Sequence, residues 1–398
     1  MTSSFAIDEF DLARLLQSLV RVPTVNPPGD EALLAPLIAD RLRQLGCDVQ
    51  IIESEPGRAN IVAILQGSGQ GPTLIWNGHM DVQPPGHDWI HDPFGAEIEG
   101  DRLYGRGAMD MKAGIAAVLA AASALRSSGV ALRGDLVFAI VADEVSGGHK
   151  GTGFLTAHGR LRGDMAVVGE PTGDSVNIAH RGSLWAEVEV RGKSAHGGRP
   201  WLGINAISKM VRVARAIESE LVPRLRQRTH AILPAPTVNF GGIQGGVKFN
   251  LVADRCTLQV DRRLIPGETA EQALSELRNV CARVRARDPE PFEVSVREIM
   301  HVHPMEIAPD ASIVAACQRA YREVTGREAG LGCTAGFEDA HFFMDAGIPT
   351  AMFGPYRESN TSQPAFFTTS GMADEYVELT AVARAARIYA TLIHNLLG

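Results

Sequence analysis

The sequence predicts an α/β protein whose mostly parallel sheet is covered by helices. Short apolar segments at 74–76, 135–141 and 164–169 have the length and composition of buried strands. Segments with helical spacing of apolar residues or an alanine-rich composition separate them, as in chains that form parallel sheets. Ligand sites in such sheets lie beyond the carboxyl ends of the strands, so polar residues that follow a strand are the first candidates for function.

The first 180 residues alternate between predicted strands and helices. The nearly all-apolar helix over 111–127 should be buried against the sheet, and the prolines of the 22–30 segment should break the helix before it. We expect helices at 8–20, 31–46, 111–127 and 150–158 and strands at 48–54, 60–66, 73–78, 135–141 and 164–169.

The character of the chain changes at about residue 181. Residues 183–192 alternate apolar and polar side chains, which is typical of a strand with one exposed face. Two helices on an antiparallel four-stranded sheet would account for the chain to about residue 295. We therefore expect an inserted α+β domain over 181–295 between two parts of the first domain, 1–180 and 296–398. The second part should hold helices near 310–325, 337–346 and 373–396 and a strand at 349–353.

The composition limits the partners and the compartment. A formal net charge of -8 and a sequence pI near 5.9 argue against a nucleic-acid or anionic-membrane partner. No apolar run approaches the roughly 20 residues of a membrane span, and residues 1–20 lack the basic segment and apolar core of a signal peptide. Five scattered cysteines without a CxxC pair indicate reduced thiols. We expect a cytoplasmic protein with a small-molecule substrate.

The most informative stretch covers residues 74–114. Its apolar strand leads to His79, and Asp81 follows at a distance from which a carboxylate can orient a metal-binding imidazole. Asp110 lies where the alanine-rich helix begins, so the loop backbone can hold its carboxylate near a cation. A His-x-Asp pair alone is a weak signal, because such residues more often serve packing or solvation.

Two further carboxylates have the same position relative to a strand. Glu144 and Glu170 each follow an apolar strand directly. Taken singly, Glu170 could be a loop charge, and Glu144 could be a helix-start carboxylate stabilised by the helix dipole. His79, Asp110 and Glu170 together form a plausible nitrogen-plus-two-carboxylate site, and a zinc ion in such a site lowers the pKa of a bound water to about 7.

Further motifs recur in order: VADE at 141–144, VVGEPT at 167–172, VEVRGKSAHGGRP at 188–200, NFGGIQGG at 239–246, DRRLIPGE at 261–268 and GIPTAMFGP at 347–355. With the 74–114 stretch they resemble the metal-dependent family of acetylornithine deacetylase, succinyl-diaminopimelate desuccinylase, carboxypeptidase G and aminoacylase. The resemblance covers nearly the full length of the chain. It implies a zinc-peptidase-like catalytic domain and an inserted domain that mediates dimerisation and closes over the active site.

The resemblance implies a role for each matching residue of the first domain. The family counterpart of Asp110 bridges two metals, and those of His79 and Glu170 complete one of the two sites. Glu144 matches the general base, which takes a proton from the attacking water and passes it to the departing nitrogen. Asp81 matches the carboxylate that orients the histidine.

The inserted domain also carries matches to functional residues. His196 matches a histidine that reaches across the dimer to stabilise the oxyanion, a kind of interaction that often contributes most to catalysis. Asn239 and Arg263 match residues that hold the oxygen and the carboxylate of the substrate, and the guanidinium fork suits a carboxylate. Arg262 is the neighbouring alternative, because the register there is uncertain by one residue.

The chain departs from the family pattern at two positions, and both concern the second metal. The family writes ADEE, with the last Glu as a ligand, whereas this chain has Val145. The family supplies a histidine near the chain's end, where alignment places Gly371. We therefore expect one divalent metal, zinc or manganese, per chain. His341 is the alternative source of a ligand, and His301 and His303 are weaker ones.

These matches predict a metal-dependent hydrolase of a C–N bond in a small carboxylate-bearing molecule, by default an N-acyl amino acid amidohydrolase. A single metal would also suffice for an aminohydrolase that expels ammonia from an activated aromatic amine, as the nitroanthranilate aminohydrolase of this family does. A third hypothesis is an inactive binding or regulatory homologue, which the intact base disfavours. In each case we expect a homodimer or a larger homo-oligomer.

Overall fold

The structure is a computed structural model that describes residues 5–356 and 371–398. It consists of two compact units. The first unit runs to Ile178 and resumes at 307–334 and 338–398; the second comprises Ala179–Glu306 and 335–337. The insertion thus begins near the expected residue 181 but extends beyond the expected 295, because a strand that pairs inside it runs on to Val302.

The described elements are as follows in chain order. The helices are α1 (Glu9–Val20), α2 (Ala35–Gln44), α3 (Ala113–Ser127), α4 (Thr152–Ala157), α5 (Ala206–Ala216), α6 (Val222–Leu225), α7 (Ala270–Arg287), α8 (Ser312–Thr325), α9 (Ala340–Asp345) and α10 (Leu379–Leu397). The strands are β1 (Asp48–Glu55), β2 (Arg58–Leu65), β3 (Leu74–His79), β4 (Ile98–Glu99), β5 (Arg102–Tyr104), β6 (Leu136–Val141), β7 (Met165–Val168), β8 (Ser175–His180), β9 (Gly182–Arg191), β10 (Thr237–Gly245), β11 (Arg255–Leu264), β12 (Glu293–Val302), β13 (Met305–Glu306), β14 (Gly330–Thr334), β15 (Thr350–Met352) and β16 (Tyr376–Glu378).

The main sheet of the first unit has the strand order β1-β2-β6-β3-β7-β15-β8, and β14 also pairs with β8. The four central strands β6, β3, β7 and β15 are parallel, and their side chains are almost all buried, as expected for strands covered on both faces. The flanking pairs are antiparallel. The predicted α/β class is confirmed, with parallel pairing confined to the middle of the sheet.

Helix α3 is buried against this sheet, as its composition predicts. With the turn before it, Ala108–Ser127 is the one helix of the described residues that is long and apolar enough to cross a membrane, but 83% of its apolar window is buried in the protein. This burial is typical of a core helix. A Cβ on Gly114 would lie 2.4 Å from the carbonyl oxygen of Gly169, so the close approach of helix and strand end requires glycine.

The second unit contains a four-stranded antiparallel sheet in the order β10-β11-β9-β12. Its apolar side chains alternate with polar ones, and the apolar set packs with α5 and α7 in a separate core. The other face of the sheet is therefore left for polar and partly exposed side chains.

The end of the chain differs from the sequence-based expectation. A helix starting at 373 is wrong, because Tyr376–Glu378 form β16 and α10 begins only at Leu379. Strand β16 pairs antiparallel with β5 in a small three-stranded sheet, and Tyr376 lies against Tyr104 with ring centroids 5.5 Å apart. The pairing fixes the residues just before β16 beside the loop that follows β5.

Candidate metal centre

His79 is the buried point on which the predicted acidic residues converge. It ends β3, and its Nε2 lies 3.1 Å from Asp110 Oδ1, 3.5 Å from Glu170 Oε1 and 3.7 Å from Glu144 Oε2. Ligand atoms of His79, Glu144 and Glu170 all lie within 4.8 Å of one another. The structure thus brings together the residues predicted as ligands, and it places the predicted base among them.

The second ring nitrogen of His79 turns toward Asp81. Nδ1 lies 2.8 Å from the backbone oxygen of Asp81 and 3.5 Å from its carboxylate, so the carbonyl is the closer orienting group. The carboxylate accepts hydrogen bonds from the Asn26 amide and from the backbone N–H groups of Glu144 and Val145. Asp81 therefore orients the imidazole and also holds the loop that carries Glu144.

The two departures from the family pattern leave no metal-binding side chain at either place. The backbone of Val145 is fixed by Asp81, and valine offers no ligand atom. Gly371 has φ +76°, in the region that favours glycine, and a Cβ there would lie 3.1 Å from Gln83 Oε1. A histidine at this position would be strained and would displace Gln83.

Within the described parts of the chain, the three histidines considered as alternative ligands lie outside the cluster of potential ligands around His79. His341 is buried at the start of α9, with Nδ1 3.0 Å from the backbone oxygen of Glu338 and its ring 3.9 Å from that of Phe342. His301 and His303 belong to the second unit, where their rings stack at 5.2 Å. Among the described residues, none of the three joins the cluster around His79.

Glu375 is a buried functional candidate that no sequence motif indicated. It is 1% exposed, and its Oε1 accepts backbone N–H groups of Gly107, Met109 and Asp110 at 3.0, 3.1 and 3.2 Å. Its other oxygen pairs with the buried Arg106. One carboxylate thus holds the loop that presents Asp110. The contact joins residues 265 positions apart, and no local pattern reveals it.

The electrostatics of the cluster suit a divalent cation. Burial raises the pKa of Glu144 and of Glu170 well above the usual range, and the Asp110 carboxylate raises both further. Burial lowers the pKa of His79, but its hydrogen bonds to Asp110 and Asp81 outweigh this and leave it raised. Glu170 Oε1 is buried without a hydrogen-bond partner among the described residues. A metal would neutralise these charges and use that oxygen.

The predicted residues of the second unit lie on its accessible parts. His196 is exposed in the segment after β9, and its Nδ1 accepts the backbone N–H of Gly198 at 3.0 Å. Asn239 is exposed on β10, opposite Asp261 of β11. A groove of about 470 Å³ on this face is lined by Trp185, Ala186, Glu187, Asn239, Gly241, Gln259, Val260, Asp261 and Ile299.

The strand register distinguishes the two neighbouring arginines. Arg263 lies on the same face as Asp261, donates from Nε to its carboxylate at 3.0 Å and keeps 23% of its side chain exposed. Arg262 points to the opposite face, is fully buried and pairs with Glu268 at 2.8 Å. Only Arg263 of the two is accessible to a ligand within this unit.

The site combines a buried imidazole with several carboxylates on an α/β sheet, and the chain also forms a separate α+β unit. This combination is typical of metal-binding hydrolases. Residues 75–395 match the sequence model of peptidase family M20/M25/M40. A succinyl-diaminopimelate desuccinylase of Methylobacterium radiotolerans is 32% identical, and the alignment covers 96% of this chain and 95% of that protein. The chain belongs to this family and is a hydrolase of C–N bonds.

Solved structures show the same fold over nearly the whole chain. A tripeptidase of Staphylococcus aureus subsp. aureus Mu50 has a TM-score of 0.78 at 21% identity, with 98% of this chain and 99% of that chain covered. Human carnosine dipeptidase 1 has a TM-score of 0.79 at 17% identity, with 98% and 97% covered. These structures show the shared fold, while the family model and the desuccinylase confirm the predicted family resemblance.

Proposed function

We propose that this chain is an N-acyl amino acid amidohydrolase that acts on a small carboxylate-bearing substrate. The observation that carries the proposal is the position of Glu144, 3.7 Å from His79 Nε2 in a buried cluster suited to a metal. A bound divalent cation polarises the substrate carbonyl and lowers the pKa of water. Burial raises the pKa of Glu144. This carboxylate is therefore suited to take the proton of the attacking water and deliver it to the leaving nitrogen.

Three residues of the second unit are proposed to act on the substrate, as the resemblance implies. His196 would stabilise the developing oxyanion, and its exposure supports a role outside the unit's core. Asn239 would hold a substrate oxygen. Arg263 would bind the substrate carboxylate, which its accessible guanidinium and the burial of Arg262 support.

The substrate class is tested with the metal-loaded protein and a panel of N-succinyl and N-acetyl amino acids. We expect release of a free α-amino group, measured with an amine reagent, and succinylated diamino acids belong in the panel because of the desuccinylase relative. The competing function is an aminohydrolase that releases ammonia from an aromatic amine, which the absent ligands at Val145 and Gly371 favour. Ammonia without any acyl-substrate cleavage would contradict the amidohydrolase proposal.

The same two positions lead us to propose one tightly held metal per chain, on His79, Asp110 and Glu170. Elemental analysis after loading with zinc or manganese and desalting should give a value near one. His79→Ala should bring it close to zero, because the converging nitrogen is lost. Two metals retained per chain through desalting would contradict the proposal.

A homodimer formed through the second unit is supported by an apolar strip on its surface. Val211 on α5 is 56% exposed, and Ile243, Val247 and Phe249 on and beyond the edge strand β10 are 53%, 87% and 109% exposed. Ile207 of α5 lies beside Gly245 of β10: a Cβ built on Gly245 would be 2.9 Å from the Ile207 side chain. The helix and the edge strand therefore form one continuous surface. Exposed apolar side chains beside an unpaired strand edge favour self-association.

Val211→Glu should therefore shift the protein from dimer to monomer in size-exclusion chromatography with light scattering, because it places a charge inside the apolar strip. Asn279→Glu adds the same charge to an exposed position of α7 and serves as the control. We expect Asn279→Glu to remain dimeric. A dimer that persists in Val211→Glu, or a monomeric wild type, would contradict this interface.

A further inference from the structure

Arg58 is a buried arginine beside the loop that carries Glu144. It begins β2, which pairs antiparallel with β6. Continuing the register of the two strands past Ile140 of β6 sets Asp143 opposite Arg58. Arg58 Nη2 donates to Asp143 Oδ1 at 2.8 Å there, and each side chain is only 5% exposed. A buried charge pair thus ties the first residue of one strand to the loop after its neighbour.

Asp143 adopts a backbone conformation that needs support. Its φ of +73° lies in the left-handed region that residues other than glycine rarely adopt, and such conformations persist only where the surroundings fix them. The Asp143 carboxylate also accepts the backbone N–H of Lys150 at 3.0 Å, and its carbonyl oxygen accepts that of Gly148 at 2.8 Å. The position of Asp143 therefore sets the course of the turn that begins at Glu144.

The same guanidinium is also connected to Asp81, the second carboxylate that holds this loop. Arg58 Nη1 donates to the backbone oxygen of Pro28 at 3.0 Å and lies 3.5 Å from Asn26 Oδ1. The Asn26 amide donates to Asp81 Oδ2 at 2.8 Å. Asp81 in turn accepts the backbone N–H of Glu144 at 3.2 Å. One guanidinium is thus joined to both carboxylates that hold the loop, directly to one and through an amide to the other.

The surroundings of Arg58 fix its guanidinium in one orientation. Nη2 also donates to the fully buried carboxylate of Glu31 at 2.9 Å. Gly29 has φ +89°, and a Cβ built there would overlap Arg58 Cζ, so the guanidinium packs on bare backbone. Nη2 therefore serves two carboxylates while Nη1 serves the segment at 26–28. A lysine ammonium, which is a compact charge on a flexible stem, cannot reproduce this fork.

We propose that Arg58 is a positioning residue that holds Glu144 where it can act as the base. The inference rests on the proposed function, because the role of Glu144 as the base belongs to it. The hydrogen bonds that connect Arg58 to the loop do not depend on that role. Loss of the guanidinium should therefore loosen the loop whether or not a substrate is present, and it should slow turnover through Glu144.

Hydrogen exchange of backbone amides in the metal-loaded protein tests the first effect. The N–H groups of Glu144 and Gly148 are hydrogen-bonded within this loop region in the wild type. In Arg58→Lys we expect both to exchange at least about tenfold faster, because the loop opens more often. The amides of α10 serve as the internal reference and should exchange as in the wild type.

Steady-state kinetics separates a positioning role from a purely structural one. On the best acyl substrate of the panel, Arg58→Lys should lower kcat at least about tenfold and change KM by less than about threefold. The metal content should stay at the wild-type value. Gly29→Ala should act in the same way, because the added methyl group displaces the guanidinium without altering its charge. This variant carries the test if circular dichroism shows that Arg58→Lys does not fold.

Arg41→Lys is the matched control. This arginine of α2 pairs with Asp11 of α1 in the same unit, so the chemical change is identical but lies away from the loop. It should keep the wild-type kcat and the wild-type exchange of the loop.

Wild-type exchange of the loop amides in Arg58→Lys and Gly29→Ala, or a wild-type kcat despite faster exchange, would overturn the positioning role. The proposed function fails by other results, namely ammonia release without acyl-substrate cleavage or a wild-type kcat in Glu144→Gln. Neither of those results alters the exchange of the loop, so the two failures are distinguishable.

Discussion

Glu144→Gln should lower kcat by about 10²–10⁴-fold while the metal content stays at the wild-type value. Glutamine preserves the size of the side chain and an oxygen acceptor, but it cannot take a proton from water. The backbone N–H of Glu144, held by Asp81 at 3.2 Å, is unaffected by the substitution. The loop that carries residue 144 should therefore keep its position.

The measurement must separate a base from a ligand, because Glu144 lies within the compact group of potential ligands. Elemental analysis and steady-state kinetics on the same preparation separate the two roles. If Glu144 is the base, the variant has a lower kcat at constant metal content; if Glu144 is a ligand, the variant contains less metal. Glu328→Gln, an exposed glutamate that pairs with Arg322, is the charge-matched control and should retain full activity. A kcat close to that of the wild type would refute the role of Glu144 as the base.

The residues of the centre that could be predicted from sequence share one physical property. His79, Glu144 and Glu170 all follow apolar strands, and those strands lie at the parallel middle of the sheet. Strand ends that point in one direction bring the residues after them to one edge. The apolar composition of three short segments therefore suffices to predict that residues far apart in the chain meet at one place.

What escaped prediction depends on contacts that no local pattern encodes. Glu375 directly precedes β16, whose pairing with β5 accompanies its hydrogen bonds to the Asp110 loop, whereas the sequence predicted a helix from residue 373. The choice between Arg262 and Arg263 required the register of β11 against β9 and β10. A shift of one residue reverses the face of every side chain, and the sequence motif could not exclude it.

Glu375→Ala should be among the most destabilising single substitutions in the first unit, with a loss of about 3–5 kcal/mol in the free energy of unfolding. The change leaves the buried guanidinium of Arg106 without its carboxylate, and three N–H donors of the Asp110 loop lose their acceptor. Because that loop presents Asp110, metal affinity should fall as well. Urea unfolding of the metal-free protein and a metal titration measure the two effects.

Two companion variants separate the charge from the loop contacts. Glu375→Gln keeps an oxygen for the three N–H groups but leaves Arg106 charged and unpaired, so stability should fall while metal affinity changes less than in Glu375→Ala. Adding Arg106→Met to Glu375→Gln removes the buried charge and should recover part of the lost stability. If Glu375→Ala binds metal as tightly as the wild type, the Asp110 loop is held by other contacts and Glu375 has only a structural role.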